Sequence, residues 1–402
     1  MSAIPLDLPM DKVHQMRAAC AYLFTPGQAK DDTFLRSLDH EKVRRAFREK
    51  ARHYHPDHHR GESQTATAQW SDQFRKVRRA YEIMITCVPK PDPAPSRPLP
   101  RIIAVGGAKG GIGKSILAAN LGVFLARSGK KTVVVDLDLG GANLHLYMGV
   151  TRLQQSINDF LDRKAPSLES IMTPTNHGPW LIGGNSSRLG AGNIAFTTKV
   201  RLIRALKNLD ADHIILDLGG DTSFNVMDFF LSADRGLVLT TCDPASYLEA
   251  YNFIKVGLFR KLNRIFGDEN PQPVKRIKPL EELIRSATMP RNSQNAATVT
   301  DILARVESQQ PNHAALVREA IAGYSPFLVV NRETEPAKLQ GVADRIRQVS
   351  KKMLSIDVRY TGCLPHGEDV EQSARTLVPV LSQSPEGAYG KGVRSLVEQL
   401  TG

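Results

Sequence analysis

Cysteine is scarce in this chain of 402 residues: Cys20, Cys87, Cys242 and Cys363 lie far apart and make no CxxC pair. A disulfide-stapled scaffold and a paired-thiolate metal or redox motif are therefore unsupported, and a reducing cytoplasm is the expected location. Long apolar runs are missing as well, since no stretch approaches the ~20 residues of a membrane-spanning helix. The opening MSAIPLDLPMDKV has neither the basic start nor the apolar core of a secretory signal. No internal repeat is visible, and no single tail carries the net charge of +12. The first hundred residues hold 17 Lys and Arg against 12 Asp and Glu, and the remaining excess is spread over the rest. A solvated basic surface accounts for this charge as well as nucleic acid, anionic lipid or an acidic partner does.

What is present is globular material, 41% hydrophobic and 23% charged, long enough for two or three domains. The run VPKPDPAPSRPLP at 88–100 contains six prolines and favours an extended, semi-rigid spacer. Before it the patterns are helical. After it, the short runs RIIAVGG, KTVVVDLD, HIILDLGG, GLVLTT and PFLVVN alternate with amphipathic segments. That alternation predicts an α/β fold with a mostly parallel sheet between helices, preceded by a small all-α module. The expected division is a helical domain at 1–87, a linker at 88–100 and the α/β domain at 101–402. A charged segment at about 259–325, from KRIKPLEELIRS to LVREAIAGY, reads as a helical insertion because PFLVVN resumes after it.

The stretch VGGAKGGIGKSILAANLG, residues 105–122, follows the first apolar run and opens a helix. Gly110, Gly111 and Gly113 let backbone N–H groups approach phosphate oxygens. Lys114 then reaches the β- and γ-phosphates, and the Ser115 hydroxyl is placed for Mg²⁺. The cofactor-binding run is thus Gly110, Gly111, Ile112, Gly113, Lys114, Ser115 and Ile116. A glycine-rich turn without a ligand has no need of Lys-Ser at this point. Ala108 stands where an ordinary P-loop begins with glycine, and Lys109 follows it, so the motif resembles the deviant Walker A of the MinD/ParA family. The resemblance covers roughly residues 101–258 and 326–400, and implies a Mg²⁺-dependent ATPase with a P-loop fold. It further implies that Lys109 crosses to the partner's phosphates in an ATP-dependent homodimer.

The run VVVDLDLGGANLH brings Asp136 and Asp138 to a strand end, where α/β folds hold ligands. By the same resemblance Asp138 orients the attacking water and Asp136 supports the metal environment; by position alone, capping a helix is an equal reading for one of the two. HIILDLGGDTSF resembles a Walker B strand, with Asp217 holding Mg²⁺ through water and Gly219 and Gly220 forming the switch II loop. Catalytic roles thus fall to Lys109, Lys114 and Asp138, and metal roles to Ser115, Asp136 and Asp217. In PFLVVNRE the resemblance gives Asn331 to the adenine edge, and Arg332 stacks on the base or is a solvated charge. Pro365, in TGCLPHGEDVEQSARTLVPVL, is a further candidate near the base.

Residues 11–87 predict three amphipathic helices, with apolar positions three and four apart: Val13, Met16, Cys20 and Leu23; Val43, Ala46, Phe47 and Tyr54; Trp70, Phe74, Val77, Tyr81 and Met84. Between the second and third lies RHYHPDHH, with four histidines in eight residues. Pro56 breaks any shared helical face of His55 and His59, and no cysteine or second His cluster completes a tetrahedral metal set. RRAFREKARHYHPD and FRKVRRAYEIM instead resemble the J-domain of DnaJ-type co-chaperones. That resemblance makes His55, Pro56 and Asp57, beside basic Arg44, Arg45 and Arg48, the docking loop for a DnaK-type chaperone. The connection between Phe24 and Asp39 is longer than the J-domain pattern, and the first helix lacks its Tyr-x-x-Leu-Gly ending. DKVHQMR loosely echoes a flagellar FlhG motif, but Val13 and Met16 serve equally as core.

These readings imply an ATP-driven switch of MinD/ParA type that positions an unspecified protein cargo. Two alternatives stand beside it: a co-chaperone adaptor in which ATP only regulates assembly, and a DNA-partition ATPase of ParA type. The final GKGVRSLVEQLTG lacks the large apolar face of a membrane-binding helix, so no autonomous C-terminal membrane anchor is expected.

Overall fold

A computed structural model describes residues 10–54, 64–88, 98–185, 194–267, 277–288 and 298–401. His55, Pro56 and Asp57 lie outside the described residues. The chain divides into two compact units, Met1–Arg97 and Pro98–Gly402.

In the first unit, helices α1 (Met10–Leu23), α3 (His40–Tyr54) and α4 (Gln64–Cys87) share one small core. Met16, Ala19, Cys20 and Leu23 of α1 are buried, as are Val43, Val77, Ala80 and Met84, so the three-and-four spacing does select the inward face. Phe47 stacks on Tyr81 with ring centroids 4.4 Å apart. The expected count of three helices is corrected to four among the described residues. The long connection after Phe24 folds as α2 (Asp32–Arg36), capped by Asp31, whose Oδ1 accepts from Thr33 N at 2.8 Å. Leu35 and Leu38 enter the core behind it, and Arg17 of α1 ties the connection down through Asp32 at 2.5 Å and the carbonyls of Ala29 and Lys30.

The second unit contains β1 (Arg101–Gly106), α5 (Lys114–Arg127), β2 (Thr132–Leu137), α6 (Leu144–Tyr147), α7 (Ile157–Leu161), β3 (Thr173–Pro174), β4 (Trp180–Ile182), α8 (Phe196–Lys207), β5 (His213–Leu218), α9 (Phe224–Ser232) and β6 (Arg235–Thr240). It continues through α10 (Pro244–Phe266), α11 (Lys278–Thr288), α12 (Val299–Gln309), α13 (Ala314–Ala322), β7 (Phe327–Asn331), α14 (Pro336–Leu354), β8 (Arg359–Leu364), α15 (Glu368–Thr376), α16 (Val380–Gln383) and α17 (Ala388–Thr401). The strands form one eight-stranded sheet in the order β3-β4-β2-β5-β1-β6-β7-β8, parallel except at β3–β4. Every residue of β2 and β5 is buried, which is why these runs are continuously apolar rather than alternating.

Each face of the sheet carries its own core. One is closed by α5 and α17, the other by α9, α10 and the helices that follow α10. The supposed insertion does not begin at 259: α10 runs unbroken from Pro244 to Phe266, because Leu258, Phe259 and Leu262 continue its buried face. Between α10 and β7 lie α11 to α13. Their Leu283, Ile284, Ile302, Val306, Val317 and Ile321 join the core beside Leu328 and Val330 of β7. Tyr389, Val393, Leu396 and Leu400 of α17 are likewise buried against the sheet, so the apolar face of this helix is used internally.

Candidate nucleotide-binding site

Strand order creates the site. The chain leaves β1, forms α5 and returns to β2 with β5 standing between the two strands, so the carboxyl ends of β2, β5 and β1 are neighbours at a switch point. Asp217 lies in register with Asp136 on one side and Val105 on the other. The loop after β1 therefore begins at the level of two buried carboxylates.

That loop has the backbone of an anion cradle. Gly111 has φ +72° and Gly113 φ +99°, a region costly to any residue with a Cβ. A Cβ on Gly113 would also stand 2.5 Å from Asn331 Nδ2. Gly110 faces open space on the side where a Cβ would project. The N-terminus of the 14-residue α5 begins at Lys114, presenting unpaired N–H groups and the positive end of its dipole. Ile112 is buried and Ile116 half-buried, fixing the loop to the apolar layer beneath it.

Lys114 is buried, and its Nζ donates to the Lys109 carbonyl at 2.9 Å. Burial lowers its pKa against the pull of Asp217, Asp138 and Asp221. Ser115 Oγ donates to Asn143 Oδ1 at 3.3 Å. Asp217 is 1% exposed, and neither of its carboxylate oxygens has a hydrogen-bond partner. Burial first, then the charge of Asp136, push its pKa well above the carboxylate range; the nearby Ser115 hydroxyl opposes this, yet its hydrogen bond is spent on Asn143. An orphaned buried carboxylate beside a serine hydroxyl fits a hydrated divalent cation, which takes one or two protein groups and completes its shell with water and phosphate oxygens. Among the described residues no cluster of three His, Cys, Asp or Glu could hold a metal by itself.

Asp136 differs from Asp217. Its oxygens accept from Asp138 N and Leu144 N, both at 3.1 Å, and burial raises its pKa to about 7. It is thereby a brace for the loop after β2. Asp138 is half-buried at that loop's start; its Oδ1 accepts from Gly141 N at 3.0 Å, and it faces Gly219. A Cβ on Gly220 would lie 3.0 Å from Gly110 N and 3.1 Å from Lys114 Nζ, so the loop after β5 closes directly onto the P-loop.

Asn331 is buried at the end of β7, and its Nδ2 donates to Ile112 O at 2.7 Å. This amide braces the phosphate loop. Arg332 is exposed, with φ +63°, and its N–H donates to Leu364 O at 2.9 Å, joining the ends of β7 and β8. Three contributors escaped sequence reading: Asn143, the partner of Ser115; Asp221, near Lys114; and Asp243, whose Oδ2 takes Lys109 Nζ at 2.5 Å. Asp243 does leave a local signal, since Asp before Pro at a helix start is the N-cap pattern, and its side chain caps Ser246 N at 3.1 Å.

Residues 103–380 match the model of the CobQ/CobB/MinD/ParA nucleotide binding domain. The chain belongs to that family. In this MinD/ParA-type domain the match runs from within β1 to the start of α16. Residues 35–88 match the DnaJ domain model, so a J domain precedes the nucleotide-binding domain. The flagellum site-determining protein YlxH of Helicobacter pylori is 32% identical over 161 residues, which is 39% of this chain and 53% of YlxH. Septum site-determining protein MinD of the same organism is 30% identical over 148 residues, covering 36% and 54%. Antiactivator FleN of Pseudomonas aeruginosa is 27% identical over 169 residues, covering 42% and 58%. The chain thus spans little more than half the length of the curated relatives it matches. Among solved structures, the MinC:MinD cell division protein complex of Aquifex aeolicus aligns with 75% of this chain and 95% of that chain, at TM-score 0.49 and 17% identity. No helix among the described residues is long and apolar enough to cross a membrane.

Proposed function

We propose that the chain is a Mg²⁺-dependent ATPase switch that dimerises on ATP and positions a protein partner. The observation carrying this reading is the convergence of Lys114, Ser115 and the partnerless carboxylate of Asp217 at the adjacent ends of β1 and β5. Backbone N–H groups of Gly110 to Gly113 and the start of α5 hold the phosphates, and Lys114 neutralises charge on the β- and γ-phosphates. Mg²⁺, when bound, supplies the remaining neutralisation, with Ser115 as direct ligand and Asp217 reaching it through water. Asp138 orients the attacking water, and Gly219 and Gly220 carry N–H groups that sense the γ-phosphate. Lys109, held by Asp243 in the single chain, exchanges that exposed pairing for the phosphates of a second subunit.

On the same reading the J domain recruits a DnaK-type chaperone through His55, Pro56 and Asp57. The match at residues 35–88 and the exposed Arg44, Arg45 and Arg48 on α3 support it. The cargo is a protein partner at a defined cellular site, as the names of YlxH and MinD suggest for those relatives. The deciding experiment is ATP turnover of the purified chain with Mg²⁺. Lys114→Ala should reduce it at least about 100-fold, the scale of losing a preorganised charge on the transition state. Turnover untouched by that substitution refutes the reading.

A further inference from the structure

At the opposite end of the second unit, below the amino ends of β6 and β7, lies a cavity of about 1130 Å³. Its walls come from α8, the end of α9, the last turns of α10, and the segment around α13. None of the nucleotide-site residues lines it. The α11 to α13 segment supplies one wall, through His313, Leu316 and Gly323.

Two features define what this groove accepts. The first is apolar surface at its mouth: Phe196 is 55% exposed and Leu316 49% exposed, side chains that ordinarily lie inside. The second is an excess of positive charge: among the described residues, Lys199, Arg204, Lys261 and Arg264 line the cavity against Asp228 and Asp234. Both carboxylates are already engaged. Asp228, 2% exposed, binds Lys199 and takes Arg260 at 2.8 and 3.0 Å. Asp234 Oδ2 accepts from Ile102 N at 2.8 Å. Arg264 reaches Asp228 only at 3.7 Å, and Lys261 meets the Tyr324 ring at 5.9 Å with no carboxylate beside it among the described residues. Burial lowers the pKa of Lys261, the mark of an ammonium short of a counter-charge.

We propose that this groove docks an acidic amphipathic segment of a protein partner, its apolar face against Phe196 and Leu316 and its carboxylates on Lys261, Arg264 and Arg204. The volume exceeds the roughly 300–1,000 Å³ of ordinary small-molecule pockets. Apolar residues three and four apart on a helical segment fill such a groove, while rim charges fix its direction and speed its arrival. A basic or neutral segment would desolvate these cations without adding a counter-charge.

The test is selection of a displayed library of random 16-residue peptides against the full-length chain without nucleotide, followed by fluorescence anisotropy on the enriched peptides. Enriched sequences should combine several Asp and Glu with apolar residues at spacings of three and four. Their affinity should fall at least about tenfold for Lys261→Glu and, separately, for Leu316→Asp. ATP turnover should stay within about twofold in both variants, which shows that they fold and keeps the result independent of the proposed ATPase chemistry. No enrichment, enrichment without acidic bias, or variants that bind the peptides as tightly as the unaltered chain overturns the proposal. Self-association of the chain that Leu316→Asp abolishes also overturns it, by seating a second copy in the groove.

Discussion

Asp217 shows how much one side chain carries. A carboxyl that is 1% exposed and lacks any hydrogen-bond partner destabilises the nucleotide-free protein whenever it ionises. Its folded pKa is raised, so the folded state holds a proton that the unfolded state releases, and stability falls as pH rises above the ordinary value of 3.8 toward the folded value. Asp217→Asn should therefore raise the melting temperature of nucleotide-free protein at pH 8, with the gain shrinking toward pH 4, while ATP turnover is lost. Thermal melts across that range check it, and a pH-independent difference would contradict it. Gly113→Ala should abolish nucleotide binding through φ +99° and the contact with Asn331, measured by titration of labelled nucleotide. Lys114, Ser115 and Asp217 were legible in the sequence because glycines, a lysine and an apolar strand stand at fixed local offsets. Asn143 and Asp243 were not, since each acquires its role by meeting a residue 28 and 134 positions away. Asn331 was expected at the adenine edge, and sequence could not show its amide committed to Ile112 O.

Among the elements, α8, α9 and α10 are tied by one buried carboxylate. Lys199, Asp228 and Arg260 are each at most 5% exposed. Asp228→Ala should destabilise the protein by about 3–5 kcal/mol, because it removes the carboxylate that balances two buried cations. Chemical denaturation of the full chain measures this, and a loss below about 1 kcal/mol would contradict it. The same cluster explains why the end of α10 was misread. Arg260 and Arg264 look like surface charge in sequence, yet Arg260 lies inward on Asp228, so a charged stretch continues a buried helix. The strands were easier, since β2 and β5 are buried on both faces and read as unbroken β-branched runs. Helix α2 escaped because five residues carry no full period, and its existence rests on the Asp31 cap and on Arg17 reaching across from α1.

At the scale of the whole molecule, the two compact units predict separable activities. A chain beginning at Pro98 should keep ATP turnover and lose all stimulation of a DnaK-type ATPase. His55→Gln in the full chain should remove that stimulation while leaving the chain's own turnover intact. A coupled chaperone ATPase assay distinguishes these, and stimulation that survives both changes would sink the chaperone role. In the proposed switch, two chains meet over nucleotide. Sedimentation of Asp138→Ala, which should retain ATP, tests that most directly. With ATP and Mg²⁺ its mass should double, and adding Lys109→Ala should return it to a monomer. A mass indifferent to ATP, or a dimer indifferent to Lys109, would contradict the account.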